Sequence, residues 1–355
     1  MLVVDELLRL AVARGASDVH LCVEQPPVLR VNGVLEPVDA AVLRPDDLES
    51  VAEALVPPER QAAFRRHGEV DFSYSLPGTG RFRVNVYRQR GTPAIAMRLI
   101  PYTVTPLEEL SLQPGVAQVL ADLASRPNGL VLVAGPSGSG KSTTLAAMID
   151  FINRTRRAHV VTLEDPIEYL HRHRLSIINQ REVGSDTRSF ASGLRAALRQ
   201  DPDVILVGEM RDLDTMRIAL EAAETGHLVL STLHTASAPA TVDRIIDVFP
   251  AQHQAQVRVQ LAGVLQGVVC QRLLRRADRP GRIAACEVLV ATPAVRSLIR
   301  EGKTHQLLSV IQTGGRLGMR TMEASVQDLA RRGIVHPDEY QEILRERDPR
   351  GGEGV

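Results

Sequence analysis

Lys141 is one of only two lysines in a chain of 355 residues; every other basic side chain except histidine is arginine. It stands in Gly135-Pro136-Ser137-Gly138-Ser139-Gly140-Lys141-Ser142, followed by Thr143 and Thr144. The run fills every fixed position of G-x-x-x-x-G-K-[ST]. Glycines let backbone amides wrap a phosphate, and a helix N-terminus adds positive potential. A compact ammonium on a thin stem lies along a polyphosphate where a planar guanidinium fits poorly. The Ser142 hydroxyl is of the kind that binds Mg²⁺ in such loops. Residues 135–144 are therefore expected to bind a nucleotide.

Two further segments end in acids. Val160-Val161-Thr162-Leu163-Glu164-Asp165-Pro166 reads as a strand closed by a proline. A carboxylate at the C-terminal end of a parallel strand projects into the crevice where such sheets bind ligands, and Glu164 there has the chemistry to orient or deprotonate a water. By itself it reads equally as a solvated loop carboxylate. Asp203-Val204-Ile205-Leu206-Val207-Gly208-Glu209 has the form of a Walker B strand, whose terminal acid holds Mg²⁺, often through water. Many such strands end in Asp-Glu; here Gly208 precedes Glu209.

Gly226 to Thr235 forms a third strand with His227 and His234 at its ends. His234 falls at the expected ligand edge, within reach of a terminal phosphate, although a lone histidine is more often structural. In Arg81-Phe82-Arg83-Val84-Asn85-Val86-Tyr87 the alternation puts Arg81, Arg83 and Asn85 on one sheet face. Two aligned arginines can reach phosphates on a neighbouring domain or subunit, or simply form a solvated face. Arg195 and Arg199, one helical turn apart, carry the same ambiguity.

The elements that must position these residues can be read from periodicity. A helix over residues 2–14 ends at Gly15. Short strands follow at 18–22, 28–31 and 34–35, with Asn32-Gly33 as a hairpin turn. Residues 45–67 read as one helix, and 72–75, 81–87 and 95–100 as strands. Residues 1–100 are thus expected to form a small α+β domain, with 101–112 as linker. Beyond it, helices alternate with apolar strands at 130–134, 159–163, 203–207 and 228–233. This is the rhythm of a largely parallel α/β sheet covered on both faces. Residues 142–151 and 210–225 read as helices, with Leu213, Met216 and Leu220 as core. From about 250 the pattern is helical apart from a brief strand at 283–289. Residues 113–347 make the second domain, and 348–355 a disordered tail.

Forty-two basic and 42 acidic residues cancel, so composition offers no general case for a nucleic-acid partner. Cys22, Cys270 and Cys286 have no paired spacing, which suits a reducing compartment. Asp5, Glu6 and Arg9 interrupt the N-terminal apolar stretch, and no uncharged apolar run reaches the length of a membrane span. A cytoplasmic protein without direct membrane insertion is expected.

Four boxes in order, GPSGSGKSTT (135–144), VTLEDPIEYLH (161–171), DPDVILVGEMRD (201–212) and GHLVLSTLHT (226–235), resemble those of the secretion-type hexameric ATPases. The second is similar to the family's Asp box and the fourth to its His box. The resemblance implies a C-terminal RecA-like P-loop ATPase domain behind a smaller PAS-like N-terminal domain, which GASDVHL (15–21), PPVLRVNG (26–33) and RFRVNVY (81–87) match. It further implies ATP and Mg²⁺ as ligands, Glu164 as catalytic base, Glu209 as the Walker B acid and His234 as the His-box histidine. Ala294 to Glu301 resembles a helix motif of the pilus-retraction (twitching motility) branch, with Val295 and Ser297 replacing Ile and Asn. The tetracysteine motif usual in the pilus-assembly and type II secretion branches does not occur.

The resulting expectation is a homohexameric ATPase in which Lys141 and the loop amides bind phosphates. Ser142 and Glu209 manage Mg²⁺, Glu164 activates water, and Arg81 and Arg83 approach across a boundary. Its motion would be delivered to an inner-membrane pilus platform protein to retract the pilus. Alternatives are an accessory retraction paralogue, an assembly or secretion ATPase, a nucleotide-gated regulator, and a nucleic-acid translocase. Glu164 and Glu209 argue against the regulator, and the scarcity of aromatics argues against the translocase.

Overall fold

The computed structural model describes residues 4–100, 103–339 and 341. The chain divides into two compact units, Met1–Thr103 with Glu168–Leu170, and Val104–Ile167 with His171–Val355. Residues 101 and 102 of the expected linker, and the expected disordered tail 348–355, lie outside the described residues.

The smaller unit runs α1 (Val4–Ala13), β1 (Ala16–Leu21), β2 (Val28–Val31), β3 (Val34–Pro37), α2 (Pro45–Leu55), α3 (Pro58–His67), β4 (Glu69–Leu76), β5 (Gly80–Gln89) and β6 (Thr92–Ile100). Its six strands form one antiparallel sheet in the order β3-β2-β1-β6-β5-β4. The Asn32-Gly33 turn has positive φ at both residues (48° and 86°), as a type I′ hairpin requires. Phe82, Val84 and Val86 point into the core with Leu8, Leu21 and Leu48, while Arg81, Arg83 and Asn85 take the other face. The single helix expected over 45–67 is two. Pro57 and Pro58 lack the amide hydrogens that would extend α2, and Pro58 opens α3 instead.

The larger unit contains α4 (Val116–Ala124), β7 (Gly129–Ala134), α5 (Lys141–Thr155), β8 (His159–Glu164), β9 (Ile177–Glu182), α6 (Phe190–Ala197), β10 (Val204–Val207), α7 (Leu213–Glu224), β11 (Leu228–Leu233), α8 (Ala238–Asp247), α9 (Ala251–Val264), β12 (Leu265–Arg275), β13 (Arg282–Val290), α10 (Pro293–Arg300), α11 (Leu307–Thr313) and α12 (Met322–Arg331). Its seven strands lie in the order β13-β12-β7-β11-β10-β8-β9, all parallel except β13. The doubly covered parallel sheet is the α/β architecture expected. β7 divides its apolar run between two cores: Leu130 and Leu132 pack with α7, α8 and α9, Val131 and Val133 with α4 and α5.

Three departures have physical causes. β9 is an edge strand, largely polar and only partly buried, so it carries no apolar signal. β12 follows α9 with no intervening turn and reads as its continuation; pairing with β7 on one side and β13 on the other makes it extended. Leu213, expected in the core, opens α7 and is 37% exposed, whereas Met216 and Leu220 are buried. Within the expected linker, Leu107 is buried in the core beside α4 and α5.

The 294–301 segment forms α10, with Val295 and Ile299 buried. Arg296 donates to the carbonyl oxygens of Ala262 and Gly263 at the end of α9, satisfying groups that a helix C-terminus leaves unpaired. Glu287 on β13 has no exposed surface. It accepts from the amide of Ala238 (2.7 Å), which opens α8, and that of Met322 (3.3 Å), which opens α12. One buried carboxylate thus joins two helix N-termini, where anions are favoured. Glu287→Ala leaves both amides without this acceptor and should lower the free energy of unfolding by about 2–4 kcal/mol. Urea denaturation checks this; a change under about 0.5 kcal/mol would mean that the amides find other partners.

Candidate functional site

The parallel register brings four chain segments to one edge of the larger sheet. Ala134 pairs with Leu233, Val207 with Ser231, and Leu163 with Val207. The residues that follow, Gly135, His234, Gly208 and Glu164, therefore leave the sheet together at its carboxyl edge, where open α/β sheets bind ligands. Polar bonds pin the strand ends: Ser231 Oγ donates to Val207 O (2.7 Å), Thr232 Oγ1 to Gly208 O (2.6 Å), and the Gly208 amide to Leu163 O (2.8 Å).

Gly135 has φ of 143°, and a Cβ there would stand 2.4 Å from the Gln271 carbonyl oxygen. Gly138 and Gly140 also take positive φ, so the loop curls in a way that side chains with a Cβ resist. Pro136, Ser137 and Gly138 are exposed, and Ser139 is buried. Lys141 begins α5, and its Nζ donates to the carbonyl oxygens of Gly135 (2.9 Å) and Pro136 (2.8 Å). Ser142 is exposed on the first turn, Thr143 is half-buried and Thr144 buried.

Glu164 ends β8, half-buried, and its Oε1 accepts from Thr162 Oγ1 (2.7 Å) and Gln180 Nε2 (3.1 Å). Gln180 in turn accepts the His171 amide (2.8 Å), which ties Glu164 to the loop that follows β8. Burial pushes the His171 imidazole down to about 4, against the opposing pull of Asp150, so the ring is neutral at neutral pH. Glu209 Oε2 lies 2.7 Å from Arg211 Nε and 3.5 Å from His234 Nε2. Glu209 and His234, which end two neighbouring strand segments, are thus close together. Gly208 has a reason of its own: a Cβ there would meet the Leu163 carbonyl oxygen at 3.1 Å.

Arg81 and Arg83 belong to the smaller unit, apart from the unit that carries the loop and the strand-end acids. Arg83 Nε is 3.9 Å from Asp71 Oδ1, and Arg81 donates to Ser75 Oγ (3.3 Å). Arg83 sits opposite Arg98, which binds Asp18 at 2.8 Å. Burial raises the Asp18 carboxyl pKa, but hydrogen bonds from Ser17 and Arg98 outweigh it and hold the group below its ordinary value.

Beside the loop lies a cavity of about 260 Å³, lined by Ser139, Gly140, Thr143 and Thr144 and walled by Leu110, Leu112 and Leu273. Pockets for drug-sized ligands run to about 300–1,000 Å³, so this one suits part of a nucleotide. Gln271, on the strand that reads as helix in the sequence, also lines it and binds Thr144 Oγ1 through Nε2 (2.9 Å). Neither Gln271 nor Gln180 has a motif to mark it; only strand pairing brings them to the site. Gly135→Ala drives a methyl group into the Gln271 backbone and should weaken nucleotide binding by at least about ten-fold. Titration with a fluorescent ADP analogue reads the loss, and unchanged affinity would mean that the loop tolerates the methyl group.

The family described as Type II/IV secretion system protein matches residues 1–345. The type IV pilus retraction ATPase PilT of Pseudomonas aeruginosa is 46% identical over 339 residues, spanning 96% of this chain and 97% of that protein. The twitching motility protein of Neisseria gonorrhoeae is 49% identical over 312 residues, spanning 88% and 82%. A crystal structure of the pilus retraction motor PilT with bound ADP superposes with a TM-score of 0.85 at 45% identity, over 96% of this chain and 97% of that one. With a P-loop, two strand-end acids and a His-box histidine on one sheet edge, and similarity along nearly its full length, this chain belongs to the Type II/IV secretion system protein family of ATPases.

Proposed function

We propose that this chain is the ATP-hydrolysing motor of type IV pilus retraction, working as a homohexamer in the cytoplasm against an inner-membrane platform protein. The observation that carries the ATPase chemistry is the convergence of Lys141, Glu164 and the Glu209–His234 pair on one carboxyl edge. Similarity to retraction motors supports the pilus as load. No helix among the described residues is long and apolar enough to cross a membrane, so contact with a platform is by docking.

In this reading the amides of residues 135–144 and the Lys141 ammonium hold the phosphates. Glu164, steadied by Thr162 and Gln180, accepts a proton from the water that attacks the terminal phosphorus. His234, 3.5 Å from Glu209, would sense the loss of that phosphate. Arg81 and Arg83 meet the nucleotide across a subunit boundary, so that phosphate release frees one rigid body from another. Mg²⁺ fits the donor chemistry: it takes oxygen ligands and keeps several waters. Ser142 and Glu209 would hold it, the latter through water, and the ion would neutralise phosphate charge.

Glu164→Gln keeps the shape and removes the base. Turnover should fall by about 10²–10⁴-fold while ATP binding stays within about three-fold. A phosphate-release assay at wild-type rate would remove Glu164 from this role. Light scattering with nucleotide should give the mass of six chains, and a monomer at every concentration would end the ring reading.

A further inference from the structure

The loop that follows β8 is held at both ends by side chains of the edge strand β9. Glu182 Oε2 accepts the amide of Ile167 (3.1 Å), and Gln180 Oε1 accepts that of His171 (2.8 Å). Glu182 stands opposite Glu164 in the register of the two strands, and the Val183 amide donates to Glu164 O (2.8 Å). Two residues earlier, Gln180 stands opposite Thr162, the other side chain that binds Glu164 Oε1. The bonds close a ring: from Glu164 along the chain to His171, across to Gln180, and back to Glu164.

Within that ring the sense of the Gln180 amide is fixed. A backbone N–H can only donate, so the atom facing His171 must be the carbonyl oxygen Oε1. The other end of the amide, Nε2, is then the one that faces Glu164 Oε1, at 3.1 Å, and it can only donate. The His171 amide therefore holds Gln180 in the one sense that offers Glu164 a donor.

We propose that Gln180 is a positioning residue that makes the aim of Glu164 depend on the loop of residues 165–171 being seated on β9. With the loop seated, donors from Thr162 and Gln180 meet at Oε1 and fix the plane of the carboxylate. When His171 moves off, the bond that sets the sense of the Gln180 amide is lost, and the restraint on Glu164 slackens. A small misplacement of a reacting group is enough to cost much of a rate. This rests on the reading of Glu164 as the base and deepens it: the carboxylate is aimed at water only while the chain that leaves it is in place.

The test measures single-turnover hydrolysis of ATP, and ATP affinity, on full-length variants. Gln180→Met removes both bonds and should slow hydrolysis by about ten-fold. Gln180→Glu has the same shape and still accepts the His171 amide, but it turns an oxygen towards Glu164. It should slow hydrolysis by about fifty-fold or more, since like charges repel. ATP affinity should stay within about three-fold of wild type in both, which also shows that they fold. A glutamate milder than methionine would mean that Gln180 serves only to clamp the loop, and would overturn the proposal. So would wild-type rates in both, or a loss of affinity as large as the loss of rate. Glu182→Ala frees the first end of the loop. Alone it should slow hydrolysis by about three-fold or more, and added to Gln180→Met by less than about two-fold further, because both act through one path. A wild-type rate in Glu182→Ala, or losses that multiply, would overturn the dependence on the loop. Glu164→Gln is measured alongside. If it hydrolyses at the wild-type rate, the reading of Glu164 as base fails; if it is slow while the Gln180 variants are not, only the role of Gln180 fails.

Discussion

Parallel strands cannot be closed by tight turns, so the chain leaves β7, β10 and β11 through helices before it returns to the sheet. Here β7, β11, β10 and β8 return so that their last residues stand side by side. The strands are buried on both faces, and a slip of one residue would exchange the two cores, sending Leu130 and Leu132 where Val131 and Val133 belong. The same register fixes the chemistry. A phosphate loop, two carboxylates and a histidine, drawn from four segments between residues 135 and 234, share an edge only because the hydrophobic faces are in phase. Ser231 and Thr232 add side-chain bonds to the neighbouring strand end, which limits fraying where precision is needed most.

The acids show how neighbours divide one chemical group among different tasks. Glu164 is steadied by neutral donors, Thr162 and Gln180, and keeps a half-open position. Glu209 lies against Arg211 (2.7 Å) and His234 (3.5 Å). Glu287 is sealed from water and spent on the amides of two helices. Sequence marks the first two by their place after apolar strands. It does not mark the third, because its partners, Ala238 and Met322, are far along the chain.

That contrast separates what local sequence determines from what it does not. Local signals were sufficient for the phosphate loop, for the all-apolar strands 130–134 and 228–233, for the Asn32-Gly33 hairpin, and for the alternation of Arg81 to Tyr87. Where the outcome depended on a distant partner, local pattern misled. β12 is extended because β7 and β13 flank it, and β9 is a strand because β8 offers an edge. Gln271 and Gln180 lie on those two strands, so the part of the site that they build was hidden with them. The Pro57-Pro58 break is legible in the sequence, since proline cannot continue a helix.

In the proposed ATPase cycle the bonds from Lys141 to Gly135 and Pro136 bear on binding and release. The ammonium already has two acceptors inside its own loop, so an arriving phosphate competes with the protein for it. Binding is an exchange, in which neutral carbonyl oxygens are replaced by charged ones. The reverse holds when product departs: as the phosphate loosens, the carbonyls are at hand to take the lysine back. On the proposed reading, a loop built this way carries its own internal competitor, which lowers its affinity for spent nucleotide.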